Sequence, residues 1–157
     1  MLNGFDGVQN KLLRVVGCTE VEALRHWKLA PLSMRRDIAM LGLMHRTVLG
    51  KGPKHFKRFF HRRQAETHFW RTRLRERRHS KQLEEVPYPN CPELLKRSAL
   101  GFTRVYNWLP EDIVSATSVK EFQNKLQNLA LERARSGCED WALTFLPRLP
   151  WWNHPLR

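Results

Sequence analysis

The chain has 157 residues, enough for one domain with a real core, and its apolar content of 41 % is ordinary. Its charge is not: 28 Lys and Arg against 15 Asp and Glu give a net +13 and a pI near 10.5, which implies a polyanionic partner, most often nucleic acid. Cys18, Cys91 and Cys138 are widely spaced with no C-x-x-C, which argues against a disulfide framework and fits a reducing compartment.

In chain order, Asp6 is positioned to cap a first helix running to Val16, with Val8, Leu12, Leu13, Val15 and Val16 as its apolar set and Gly17 as its stop. Thr19 and Glu22 have the T-x-x-E spacing of a capping box, which opens a short helix over 20–28 with Val21, Leu24 and Trp27 on one face. Residues 32–49 read as the hub helix, with Ser33 as its N-cap and Gly50, Gly52 and Pro53 stopping it. Met34, Ile38, Met40, Leu41, Met44, Val48 and Leu49 fall within about 200° of arc, roughly twice the stripe of an ordinary surface helix. A face that wide requires two packing neighbours or a missing domain.

The composition then shifts. Residues 54–81 hold eleven Lys and Arg against Glu66 and Glu76, a net +9 in 28 residues, interleaved with Phe56, Phe59, Phe60, Phe69 and Trp70. Arg71, Arg73, Arg75 and Arg77 alternate, and the good helix formers around them favour a helix. Three prolines within 87–92 mark a connector. Residues 97–108 are ambiguous between strand and helix, and Pro110 forces Leu109 out of helical geometry in either case. Ser118 with Glu121 forms a second capping box for a helix to Arg135, with Val119, Phe122, Leu126, Leu129 and Ala130 in a narrow stripe, a Glu121–Lys125 pair and Gly137 as stop. A tail with Trp141, Trp151 and Trp152 must dock on this chain or on a partner. The expected fold is mostly α: an N-terminal helical unit (1–53), a basic arm (54–83), a Pro-rich connector (84–96), a C-terminal segment with an amphipathic helix (97–137) and a Trp/Pro-rich tail (138–157).

Cations neutralise phosphates and aromatic faces stack on unpaired bases, so the basic stretch suits RNA or single-stranded nucleic acid better than groove reading of duplex DNA. The candidate contact residues are Lys54, Lys57, Arg58, Arg62, Arg63, Trp70, Arg71, Arg73, Arg75, Arg77, Arg78 and Lys81. The competing reading is a solvated basic face with its Phe residues in the core. His55, His61, His68 and His79, with Cys91, have no metal-ligand spacing. The paired acids Glu84–Glu85, Glu111–Asp112 and Glu139–Asp140 sit at turns or helix starts, where acids serve as caps. No P-loop, Rossmann glycine pattern or H-E-x-x-H is present. No catalytic residue, metal or cofactor is expected. No secretory leader is visible, and the longest charge- and His-free run of the hub, 38–44, is far short of the ~20 residues that span a bilayer. An intracellular protein of the nucleus or cytoplasm, away from membranes, is the expectation.

Two stretches carry a family resemblance. VQNKLLRVVGCTEVEALRHWKLAPLSMRRDIAMLGLMHRTVLG, and after the basic spacer RSALGFTRVYNWLPEDIVSATSVKEFQNKL, resemble the region beyond the polymerase domain in non-LTR (LINE-type) retrotransposon reverse transcriptases. The first piece matches at Val8, Gln9, Leu13, Arg14, Leu29, Pro31, Leu32, Arg35, Arg36 and Leu41. The second matches at Arg97, Ser98, Asn107, Leu109, Pro110, Ile113, Ser118, Val119, Phe122 and Leu126; Tyr106 departs from the family's usual Trp. The family's [YF]-x-D-D polymerase motif is absent. The resemblance therefore implies a non-catalytic C-terminal piece that helps hold template RNA, with the polymerase domain as a further partner, and a fragment poorly stable alone. The alternative is an independent basic helical RNA-binding or protein-interaction module.

Overall fold

The structure, a computed structural model, describes residues 3–62, 79–85 and 98–157. The fold is mostly α. Its helices are α1 (Asn3–Val16), α2 (Glu20–Trp27), α3 (Leu32–Val48), α4 (Phe102–Trp108), α5 (Glu111–Val114) and α6 (Val119–Arg135). Single 3₁₀ turns lie at Lys54–Arg58, Ala99–Gly101, Trp141–Leu143 and Trp151–Asn153. Among the described residues, the extended pairing is one antiparallel bridge between Arg62 and Leu83.

Helix boundaries follow local chemistry, with three departures from expectation. Asp6 lies inside α1, which starts at Asn3, so it does not cap that helix. Ser33 lies inside α3: Pro31 holds the N-cap position without a side-chain bond, and its carbonyl accepts from the Arg35 amide at 3.0 Å. Proline's fixed φ and extended ψ set the turn there, which leaves the serine hydroxyl no capping role. At α6, Ser118 accepts from the Glu121 amide at 3.1 Å, but the Glu121 carboxylate takes the Thr117 amide at 3.2 Å. The box is thus closed one residue upstream. The Thr19–Glu22 box is complete, with both reciprocal bonds formed. The ambiguous 97–108 region is helical from Ala99 onward, and Leu109 is extended before Pro110.

The wide face of α3 is covered within the chain. Met34, Ile38, Leu41 and Met44 are buried against Phe122, Leu126 and Ala130 of α6, with α1, α4 and the 54–58 turn on the remaining flanks. Each such side chain contributes about 1.5–3 kcal/mol. Gly42 permits the close approach: a Cβ there would lie 2.6 Å from Gln123 Nε2. At the end of α3, Gly50 takes φ +80°, which an L side chain resists. Gly52 then folds back so tightly that a Cβ would sit 2.6 Å from the Thr47 Cα.

At the centre, His45 stacks on Phe122 with centroids 4.1 Å apart and planes within 3°. Its Nε2–H donates to the Ala116 carbonyl at 3.0 Å, so the neutral ring's Nδ1 accepts from the Tyr106 hydroxyl, also at 3.0 Å. One buried ring thereby joins α3, α4 and the α5–α6 turn.

α1 departs from its expected pattern. Gln9 and Leu13 are buried, the Gln9 amide donating to the Ala30 carbonyl at 3.2 Å, whereas Val8, Leu12, Val15 and Val16 face solvent. In the tail, Trp141 docks on the core and Trp152 remains 61 % exposed. Arg133 of α6 holds the tail by donating to the Pro155 carbonyl and pairing with Asp140. His154, tilted against Trp108 with ring centroids 4.5 Å apart, donates Nε2–H to the Leu146 carbonyl.

Candidate nucleic-acid interface

The interface is built where α3 ends. Gly50 and Gly52 reverse the chain, Pro53 starts a 3₁₀ turn, and Lys54–Arg58 follows as KHFKR. The turn is fixed from inside. Phe60 is buried, Phe56 is half-buried against the same core, and their rings stack at 5.8 Å. With those two aromatics turned inward, Lys54, Lys57, Arg58 and Phe59 are left exposed. Lys51, just before the turn, is exposed as well, its carbonyl accepting from Arg46 Nε at 2.9 Å. None of Lys51, Lys54, Lys57 and Arg58 forms an ion pair with a described acid. The result is a run of exposed cations with no described acid paired to it, the arrangement that attracts phosphate.

The turn leads into a clasp. Arg62 bridges to Leu83, the Glu84 amide donates to the His61 carbonyl at 2.9 Å, and Arg62 Nη2 donates to the Val48 carbonyl at 3.3 Å. The returning segment, 79–85, is held more firmly still. Leu83 and the Asn107 side chain exchange two hydrogen bonds of 2.8 Å, and Ser80 gives both its amide and its hydroxyl to the Glu111 carboxylate. Those bonds hold the Glu111 carboxyl below the usual carboxylate range. His79 is buried edge-on to Tyr106, donating Nε2–H to the Tyr106 carbonyl and accepting the Lys81 amide at Nδ1.

The twelve sequence-derived contact residues separate accordingly. Lys54, Lys57 and Arg58 share the exposed turn, and Arg62 is exposed at the clasp. Lys81 is half-buried, and its ammonium donates to the Val114 carbonyl at 2.6 Å. Burial first, then the Arg62 charge, lowers its pKa. It serves the clasp more directly than a ligand. Arg63, Trp70, Arg71, Arg73, Arg75, Arg77 and Arg78 lie outside the described residues, as do His68, Cys91 and residues 86–97. Lys51 lies outside the sequence-derived set because it precedes the Gly52–Pro53 break after which the basic segment begins; it is exposed three positions before Lys54.

The acids do structural work. Glu111 is in the first turn of α5 and anchors Ser80, and Asp140 pairs with Arg133. Among the described residues, no group of three His, Cys, Asp or Glu side chains could hold a metal. His45, His79 and His154 each use both ring nitrogens in hydrogen bonds. Cys18 and Cys138 are free thiols. No described helix is long and apolar enough to cross a membrane. Comparison of the chain with protein-family models, with curated proteins and with solved structures gives no match.

Proposed function

We propose that this chain is a non-catalytic nucleic-acid-binding module, with RNA as its ligand, related to the region beyond the polymerase domain of non-LTR retrotransposon reverse transcriptases. The observation that carries the binding reading is the set of exposed cations Lys51, Lys54, Lys57 and Arg58, unpaired with any described acid and followed at once by Arg62. The sequence continues this charge, since 63–78 adds six arginines against two glutamates. The module works by counterion release, with phosphates replacing ions along the cationic turn. A polymerase domain is its natural neighbour under this reading, and the nucleus or cytoplasm, where thiols stay reduced, its setting.

The binding test is anisotropy of a labelled single-stranded RNA titrated at several salt concentrations. Log K is expected to fall linearly with log salt, and Lys54/Lys57/Arg58→Ala to flatten the slope by about 2, at ~0.7 per phosphate contact. A salt-indifferent affinity, or a triple variant with the wild-type slope, rules the reading out. The family relation has its own test, which is to read the genomic frame upstream of Met1. A [YF]-x-D-D-containing polymerase in that frame supports it, and an untranslated leader with no polymerase relic removes it in favour of an independent RNA-binding protein.

A further inference from the structure

We infer that Phe59 is a stacking platform for one unpaired base, which makes the ligand of the cationic turn single-stranded; this rests on the nucleic-acid reading above. KHFKRFF carries three phenylalanines, and the fold gives them different jobs. Phe56 and Phe60 form the stacked, inward-facing pair, while Phe59, next to Phe60 in the chain, stands 54 % exposed. An isolated exposed aromatic is ordinary on a protein surface. Phe59 differs in its surroundings and in its rigidity. The exposed cations Lys57 and Arg58 directly precede it, and exposed His61 and Arg62 follow two and three positions later.

Its backbone is pinned on both sides. The Phe59 amide donates to the Phe56 carbonyl at 3.0 Å, and His61 Nε2–H donates to the Arg58 carbonyl at 2.9 Å. The next residue, Phe60, is locked in the core at 7 % exposure. A ring presented this way loses little conformational freedom on binding. An exposed apolar ring flanked in the chain by exposed cations matches a nucleotide whose base is free to leave its neighbours, its phosphates falling on the lysines and arginines. A duplex hides its base faces, so it meets only the cations.

The test uses the full chain with a short labelled oligouridine and a duplex RNA of the same length, comparing wild type, Phe59→Ala and Phe59→Trp. Phe59→Ala is expected to weaken oligouridine binding about 10-fold, the loss of one stacked base. The salt slope stays unchanged because no charge is removed, and the duplex affinity stays unchanged as well. Phe59→Trp retains or improves the single-strand affinity. Melting curves of all three are expected to coincide, since the ring is exposed. Phe59→Ala binding oligouridine as wild type does, or losing single strand and duplex equally, overturns the stacking role while a steep salt slope leaves the nucleic-acid reading standing. A wild type that binds neither RNA overturns both.

Discussion

Burial takes His45 out of the range in which histidine ordinarily titrates. Loss of water around the ring lowers its pKa to about 4, against the opposing pull of the hydrogen bond to Ala116. His154 is lowered to about 4 by the same cause. A histidine with a folded pKa below its unfolded value stabilises fully above pH ~6.5 and loses that contribution as pH falls toward 4. Stability is expected to drop by about 3 kcal/mol per histidine across that window in denaturant titrations. His45→Gln keeps a donor for Ala116 and cannot protonate, so it should cost about 1–2 kcal/mol at pH 7 and shed its share of the acid slope. An acid limb identical to wild type would contradict the assignment.

Asp37, on α3, works in the opposite direction. Burial raises its carboxyl to about 7, although the Arg36 and then the Arg148 charges pull it down. The folded state therefore keeps a proton that the unfolded chain releases above pH ~3.9, and stability is lost as pH rises toward 7. Asp37→Asn should gain about 1–2 kcal/mol relative to wild type between pH 5 and pH 8, a value reduced for the side chain's partial solvent contact. A wild-type-to-variant difference that is flat with pH would count against it.

Among the elements, α1 shows how far periodicity alone reaches. Its apolar residues were evident in the sequence, but the side that docks was not, because a polar residue, Gln9, shares the buried face with Leu13 and bonds the Ala30 carbonyl. Leu13→Ala is expected to cost about 2–4 kcal/mol, and Leu12→Gln, at a position 56 % exposed, less than about 0.5 kcal/mol, both read from urea midpoints. Equal effects would reverse the assignment of faces. The ends of α1, α3 and α6 were legible because glycines act locally: Gly17 takes the left-handed conformation right after α1, and Gly50 and Gly137 do so one residue beyond the C-caps of α3 and α6. Lys28, expected inside α2, is instead its left-handed C-cap. His45 and His79 were not singled out as core residues. For His45 the helical period did carry a signal, since it falls between Met34 and Ile38 on the apolar arc of α3, but its bonding partners lie 61 and 71 positions away. His79 has no such local sign, and its Nε2 partner is 27 positions away. The site was half legible. Charge density located the basic stretch but not the 3₁₀ turn that presents its first cations, and the choice among three phenylalanines depended on which rings the core absorbs.

At the scale of the molecule, the core of the described residues is assembled from lengths of chain on both sides of 63–78. The first supplies α3 and His45, and the second supplies Tyr106, Ala116 and Phe122, which complete the His45 environment. Arg62 and Leu83 bring the two together at the point of departure. The wide α3 face that suggested a missing neighbour thus finds its cover in α6 of the same chain.

That arrangement makes the protein divisible. Because α3 and α6 pack against each other directly, the two lengths are expected to associate without peptide continuity between 62 and 79. Residues 1–62 and 79–157, produced as separate polypeptides and mixed, are expected to reassemble into a one-to-one heterodimer with the near-ultraviolet dichroism of the intact chain. Two fragments that stay apart in sedimentation would show that the covalent link supplies stability the packing does not. If they reassemble, the segment between them is a site where foreign sequence can be inserted, or a reporter divided, without dismantling the fold.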